Sequence, residues 1–81
     1  MLARQTVIRP EITEIFRDVF EYEGPLALHT SPDDVDRWDS LQHIALVRAI
    51  EEMFAITLSM DEMMELDSAG AIENLLHRRG V

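Results

Sequence analysis

The chain has 81 residues, no cysteine, and 16 acidic against 7 basic residues, for a net charge of −9. That length allows one domain with one modest core, which disfavours a self-contained enzyme, and the missing cysteines exclude disulfides and thiolate zinc sites. The negative charge sets the chain against nucleic acid and steers it toward basic patches on partners, while the absence of an apolar leader in Met1 to Arg9 and of any run near the ~20 residues of a membrane span predicts a cytoplasmic protein, taken as a monomer.

The first predicted element is a helix over residues 10–22. Pro10 suits a first helical turn, where its missing N–H costs nothing. Ile12, Ile15, Phe16, Val19 and Phe20 recur at the spacing of one buried stripe, and Gly24-Pro25 is the stop signal. Residues 23 to 38 then form a long connection. A loop of that length in a compact domain has to be functional or pinned by its own side chains. Leu26, Leu28, Val35 and Trp38 are the candidate pins, with a short helical turn near Ser31 to Val35.

The second helix, residues 40–54, has the clearest pattern. Asp39 is its cap, and Gln42 stands three residues on, as in a capping box. Leu46, Val47, Ile50, Met53 and Phe54 make an inward stripe, while Leu41 and Ile44 fall on a second apolar face that a simple surface helix would leave polar. Ser59 and Glu62 make a capping box for a brief third helix, residues 60–65. Asp67 or Ser68 caps a fourth helix, residues 68–79, with Ala69, Ile72, Leu75 and Leu76 inward and Arg78 and Arg79 at the end that favours cations. The fold class is all-α: a single-domain bundle of three main helices and one short one.

Asp39-Ser40-Leu41 carries the candidate chemistry. Because Asp39 already fits the cap, Ser40 is free to point outward at the positive end of the helix dipole, where a phosphate ester is stabilised. The long loop leaves access for a modifying enzyme, and Leu41 and Ile44 offer an apolar landing surface beside it. Trp38-Asp39-Ser40-Leu41, then Ile44, Leu46-Val47, Ile50-Glu51-Glu52, Phe54, Ile56, Leu58, Leu66, Ile72 and Leu75-Leu76, together resemble the acyl carrier protein family. The second half of the chain carries the likeness closely, and the first helix and loop match in length and pattern.

The resemblance implies a covalent 4′-phosphopantetheine on Ser40, placed there from coenzyme A by a phosphopantetheinyl transferase, with Asp39 and Leu41 flanking the attachment. The arm's thiol then carries acyl groups as thioesters for fatty-acid-like or polyketide biosynthesis, supplying sulfur that the chain lacks, and the carrier itself catalyses nothing. Its partners are acyl- or aminoacyl-loading and acyl-processing enzymes with basic docking patches. Leu41, Ile44, Glu51 and Glu52 match the recognition helix. Arg48 stands on the same helix in place of a common apolar contact. Gln42, Ala45 and Arg37 also depart from the fatty-acid carriers, which points to a specialised pathway.

Other readings compete. An aminoacyl or peptidyl carrier would show the same pattern, and an unmodified helical interaction module would share the fold. Asp39, Ser40 and His43 evoke a hydrolase triad, but the chain lacks a nucleophile elbow. His29, His43 and His77 make no pair at ligand spacing, and Asp33, Asp34, Asp36 and Asp39 lack the register of a calcium loop, so no metal is expected. His43 is placed at the border of the arm or solvent. Met60, Met63 and Met64 read as adaptable core packing.

Overall fold

A computed structural model describes residues 8–81; residues 1–7, which bear on the reading of the chain's start, lie outside the described residues. Four helices follow in order: α1 (Pro10–Phe20), α2 (Ser40–Phe54), α3 (Met60–Glu65) and α4 (Ala69–Arg78). No strand occurs among the described residues, so the fold is all-α as the periodicity predicts.

Pro10 opens α1 at its first position. Ile12, Ile15, Phe16 and Phe20 are buried and Val19 is half-buried, which is the predicted stripe. Each fully buried aliphatic or aromatic side chain contributes about 1.5–3 kcal/mol. The helix ends at Phe20, two residues before the expected Tyr22 and ahead of Gly24-Pro25. Glu21 takes a left-handed conformation with φ 54°, and the Tyr22 N–H returns to the Phe16 carbonyl at 3.2 Å. This closure turns the chain so that the Tyr22 ring packs edge-on against Phe16, with centroids 6.4 Å apart. A local left-handed cap therefore closes the helix, four residues ahead of the Gly24-Pro25 signal.

The loop from Glu21 to Asp39 is pinned by buried Val35 and Trp38 and by half-buried Leu26. Trp38 packs on Phe16 and Phe20 at 5.4 and 5.3 Å between centroids. Leu28 corrects the expectation: its side chain is exposed, and its backbone does the pinning. The Gly70 N–H donates to Leu28 O at 2.8 Å and the Ala69 N–H to Thr30 O at 2.9 Å. Two N–H groups of the first turn of α4, orphans within the helix, are thus satisfied by the loop. Gly70 is required there, since a Cβ would lie 2.7 Å from Leu28 O. Residues 31–35 form a turn and no helix: Asp34 Oδ2 accepts from the Ser31 N–H, and the Asp34 N–H donates to Ser31 O.

α1 and α2 run antiparallel. Gln42 Nε2 at the start of α2 donates to Val19 O near the end of α1, while Arg9 before α1 stacks over Phe54 at the end of α2. Leu46, Val47 and Ile50 are buried against α1 as predicted; Met53 is exposed and Phe54 half-buried. In α4, Ile72, Leu75 and Leu76 complete the core, and Ser68 is the cap, so the helix proper starts at Ala69 and ends at Arg78. One buried carboxylate was not anticipated. Glu73 accepts from the Arg9 backbone N–H at 2.8 Å and from Arg9 Nε at 3.0 Å, which pays its desolvation and ties the chain before α1 to α4.

Candidate functional site

The site is the start of α2. Asp39 is extended at the N-cap and its Oδ1 accepts from the Gln42 N–H at 2.8 Å. The return half of the expected capping box is absent: the Gln42 side chain turns to α1, where its Nε2 donates to Val19 O, 23 residues away in sequence, and the Asp39 N–H donates to Arg37 O at 3.0 Å. The first bond of the helix runs from the His43 N–H to Asp39 O, so the N–H groups of Ser40 and Leu41 come ahead of it. Ser40 is the first helical residue and is exposed. Its Oγ enters no hydrogen bond among the described residues.

The other three of the four serines are committed. Ser31 Oγ accepts from the Asp33 N–H, Ser59 Oγ from the Glu62 N–H and Ser68 Oγ from the Ala71 N–H. Ser40 escapes this fate because Asp39, one residue earlier, does the capping.

His43 lies one turn on from Ser40 and holds a position that sequence reasoning missed. The Trp38 indole N–H donates to His43 Nδ1 at 3.0 Å, and His43 Nε2 faces Met63 O at 2.8 Å. Indole nitrogen is a donor only and a carbonyl an acceptor only, which assigns the ring as neutral with its proton on Nε2. The two rings are near-parallel, 10° apart in plane. His43 therefore straps the loop, α2 and α3 together, and neither of its nitrogens is available to Ser40. The triad reading fails on that geometry. Pro32, Trp38, Asp39, Ser40 and His43 line an open recess of about 260 Å³.

The outward face of α2 carries Leu41 and Ile44, 73% and 57% exposed, with Arg48 and Glu52 also exposed beyond them. Glu51 differs: it is half-buried, and its Oε2 accepts from the Leu58 N–H at 2.9 Å, holding the link between α2 and α3. The methionines of α3 correct the core expectation. Met63 is partly buried against the core, but Met60 and Met64 are 68% and 76% exposed. They share one side of a short helix by their i, i+4 spacing, and a six-residue stretch was too short for its periodicity to reveal which side faced out.

α3 is held at its foot by electrostatics. The Ser59 N–H and then the Arg79 guanidinium hold the Glu62 carboxyl below the usual carboxylate range. The Glu65 carboxylate raises Arg78 above its ordinary value through a 2.8 Å hydrogen bond.

An exposed, uncommitted hydroxyl on the first turn of a long helix, in a small acidic four-helix bundle, fits a carrier-type domain. The family model described as phosphopantetheine attachment site matches residues 10–76. The solution structure of a holo acyl carrier protein from Geobacter metallireducens is similar with a TM-score of 0.74 and 32% identity, covering 86% of this chain and 85% of that one. A protein of Mycobacterium tuberculosis described as an acyl carrier protein has a TM-score of 0.75 over 84% of this chain and 92% of its own, and at 16% identity it speaks to the fold alone. No curated protein matches the chain. The chain belongs to the acyl carrier protein family, and its prosthetic group is phosphopantetheine.

Proposed function

We propose that Ser40 Oγ is the attachment point of 4′-phosphopantetheine and that the protein is a non-catalytic carrier of acyl groups. The observation that carries this is the contrast among the serines: Ser40 alone offers an exposed oxygen with no hydrogen bond among the described residues. The residues around it fit the group. A phosphate ester on Oγ would stand at the N-terminus of a helix of 15 residues, beside the N–H groups of Ser40 and Leu41 and the positive end of the dipole. When bound, the arm supplies a terminal thiol for thioester formation.

Asp39 holds the helix start so that Ser40 need not. Leu41, Ile44, Arg48 and Glu52 present a mixed apolar and charged face to loading and processing enzymes, and Met60 and Met64 add adaptable apolar surface on α3. Glu51 belongs to this set by family resemblance, and its inward hydrogen bond gives it a share in holding the face together. The net charge of −9 supports partners with basic docking patches, met in the cytoplasm. Fatty-acid-like or specialised polyketide synthesis is the setting that the acyl carrier resemblance favours.

The test is the intact mass after incubation with coenzyme A and a broad-specificity transferase. Wild type should gain one phosphopantetheine and Ser40→Ala none. An unchanged wild-type mass would return the chain to the class of unmodified interaction modules.

A further inference from the structure

The two flanks of α2 are built differently. On one, His43 closes against Trp38 and α3. On the other, Gln42 reaches Val19 O, and Ala49 and Met53 follow it seven and eleven residues on, which keeps them on the side of α1. Ala49 offers one methyl where a larger side chain would fill the space between the helices. An open groove of about 330 Å³ remains there, lined by Ile15, Asp18 and Val19 of α1 and by Ala49, Glu52 and Met53 of α2. Met53, which the sequence pattern places in the core, is 42% exposed as part of that wall.

Floor and walls differ in chemistry. Ile15 is buried and Val19 and Ala49 are half-buried, so the floor is hydrocarbon. Asp18 and Glu52 are exposed and stand on opposite helices. The ion pairs among the described residues engage Glu21, Glu62, Glu65 and Glu73, and leave the Asp18 and Glu52 carboxylates without a cation. Two like charges beside one apolar floor, in a chain of net charge −9, are complementary to a cation on a hydrocarbon stem. The groove stands at the foot of the ~300–1,000 Å³ range of small-molecule sites, and its openness to solvent gives a free ligand little enclosure. A side chain delivered on a protein surface needs none.

We infer that the groove between α1 and α2 is a docking site for one arginine side chain of a partner protein. The methylenes lie on Val19, Ala49 and Met53. The flat guanidinium, with its fork of N–H donors, reaches the carboxylates of both walls, whereas a lysine ammonium is a point charge that serves one. The α2 wall of the groove lies roughly 14–20 Å along the helix axis from Ser40, at ~1.5 Å per residue. It is also on the flank away from the recess that Ser40 lines. The groove therefore suits a partner that holds the carrier while Ser40, Leu41 and Ile44 stay open to a second protein. Glu52 is the residue that the two surfaces share. None of this depends on what Ser40 carries.

The test uses the unmodified full chain, labelled with nitrogen-15, and a blocked Gly-Arg-Gly peptide as the probe. Peptides with lysine or with citrulline, the neutral analogue of equal shape, replace it in turn at constant ionic strength. Amide shifts should saturate at Asp18, Val19, Ala49 and Met53 with the arginine peptide, and Ser40 and Leu41 should not move. The lysine peptide should bind more weakly and the citrulline peptide more weakly still. Asp18→Asn with Glu52→Gln, which keeps the shape of both walls, should weaken arginine binding by about two- to fivefold per carboxylate, as for exposed ion pairs. Equal binding by citrulline overturns the charge selection, and equal binding by lysine overturns the bridge across both walls. Shifts spread evenly over the exposed acids, no saturable shift at the groove, or unchanged binding by the double variant overturns the site.

Discussion

Helix starts in this molecule are built in two ways. At α3 and α4 a serine sits at the cap and gives its oxygen to a backbone N–H in the first turn: Ser59 to Glu62 and Ser68 to Ala71. At α3 the Glu62 side chain also returns to the Ser59 N–H, closing a full capping box. At α2 the serine has moved one residue into the helix. Asp39 takes over the cap, Gln42 reaches away to α1, and His43 straps the helix to Trp38 and α3. The neighbours of Ser40 thus bear the structural work, and the hydroxyl is left open. The lesson is that a serine left open at a helix start is marked less by its own environment than by what the adjacent residues do in its place.

Removing His43 should break the α2 arrangement most severely. His43→Ala leaves the Trp38 N–H and Met63 O without their partner, and an unsatisfied buried polar group costs about 1–3 kcal/mol. Denaturant unfolding should show that loss, while Ser40 still accepts the arm, since the imidazole takes no part in the chemistry. An alanine series at the helix starts sharpens the contrast. Asp39→Ala and Ser68→Ala should each cost ~1 kcal/mol as lost caps, whereas Ser40→Ala should stay within about 0.5 kcal/mol of wild type. Equal losses at Ser40 and Ser68 would mean that Ser40 is a structural residue too.

The smallest effect concerns acid. The folded-state pKa of Glu62 is depressed by the Ser59 N–H and by Arg79, so its contribution is complete above the unfolded glutamate pKa of ~4.3 and disappears as pH falls through the lower folded value. The melting-temperature advantage of wild type over Glu62→Gln should therefore shrink across that window. An advantage that holds constant as the pH is lowered through it would contradict the capping-box origin.

Much of this was legible along the chain because it is local. The stripe of α1, the inward face of α2, the Ser59–Glu62 box and the Asp39 cap are all written within a few residues of where they act. The exposed Leu41 and Ile44 were legible too, since α2 carried more apolar residues than one buried face can use. What stayed hidden depends on contacts between distant segments. The Gln42 side chain looked set to complete a capping box with Asp39, but it reaches Val19 O on α1. Nothing in the local pattern pairs Glu73 with Arg9, 64 residues away. Glu51 turned inward to Leu58, and Leu28 pinned its loop through a carbonyl that no side-chain pattern reports.

The central claim is that one serine hydroxyl among four was left free to be modified. Fragment mass spectrometry on protein loaded from coenzyme A by a transferase locates the added group directly. The account predicts the whole of it on the fragment bearing Ser40, with Ser31, Ser59 and Ser68 unmodified. Addition at any of those three, or continued addition in Ser40→Ala, would contradict it.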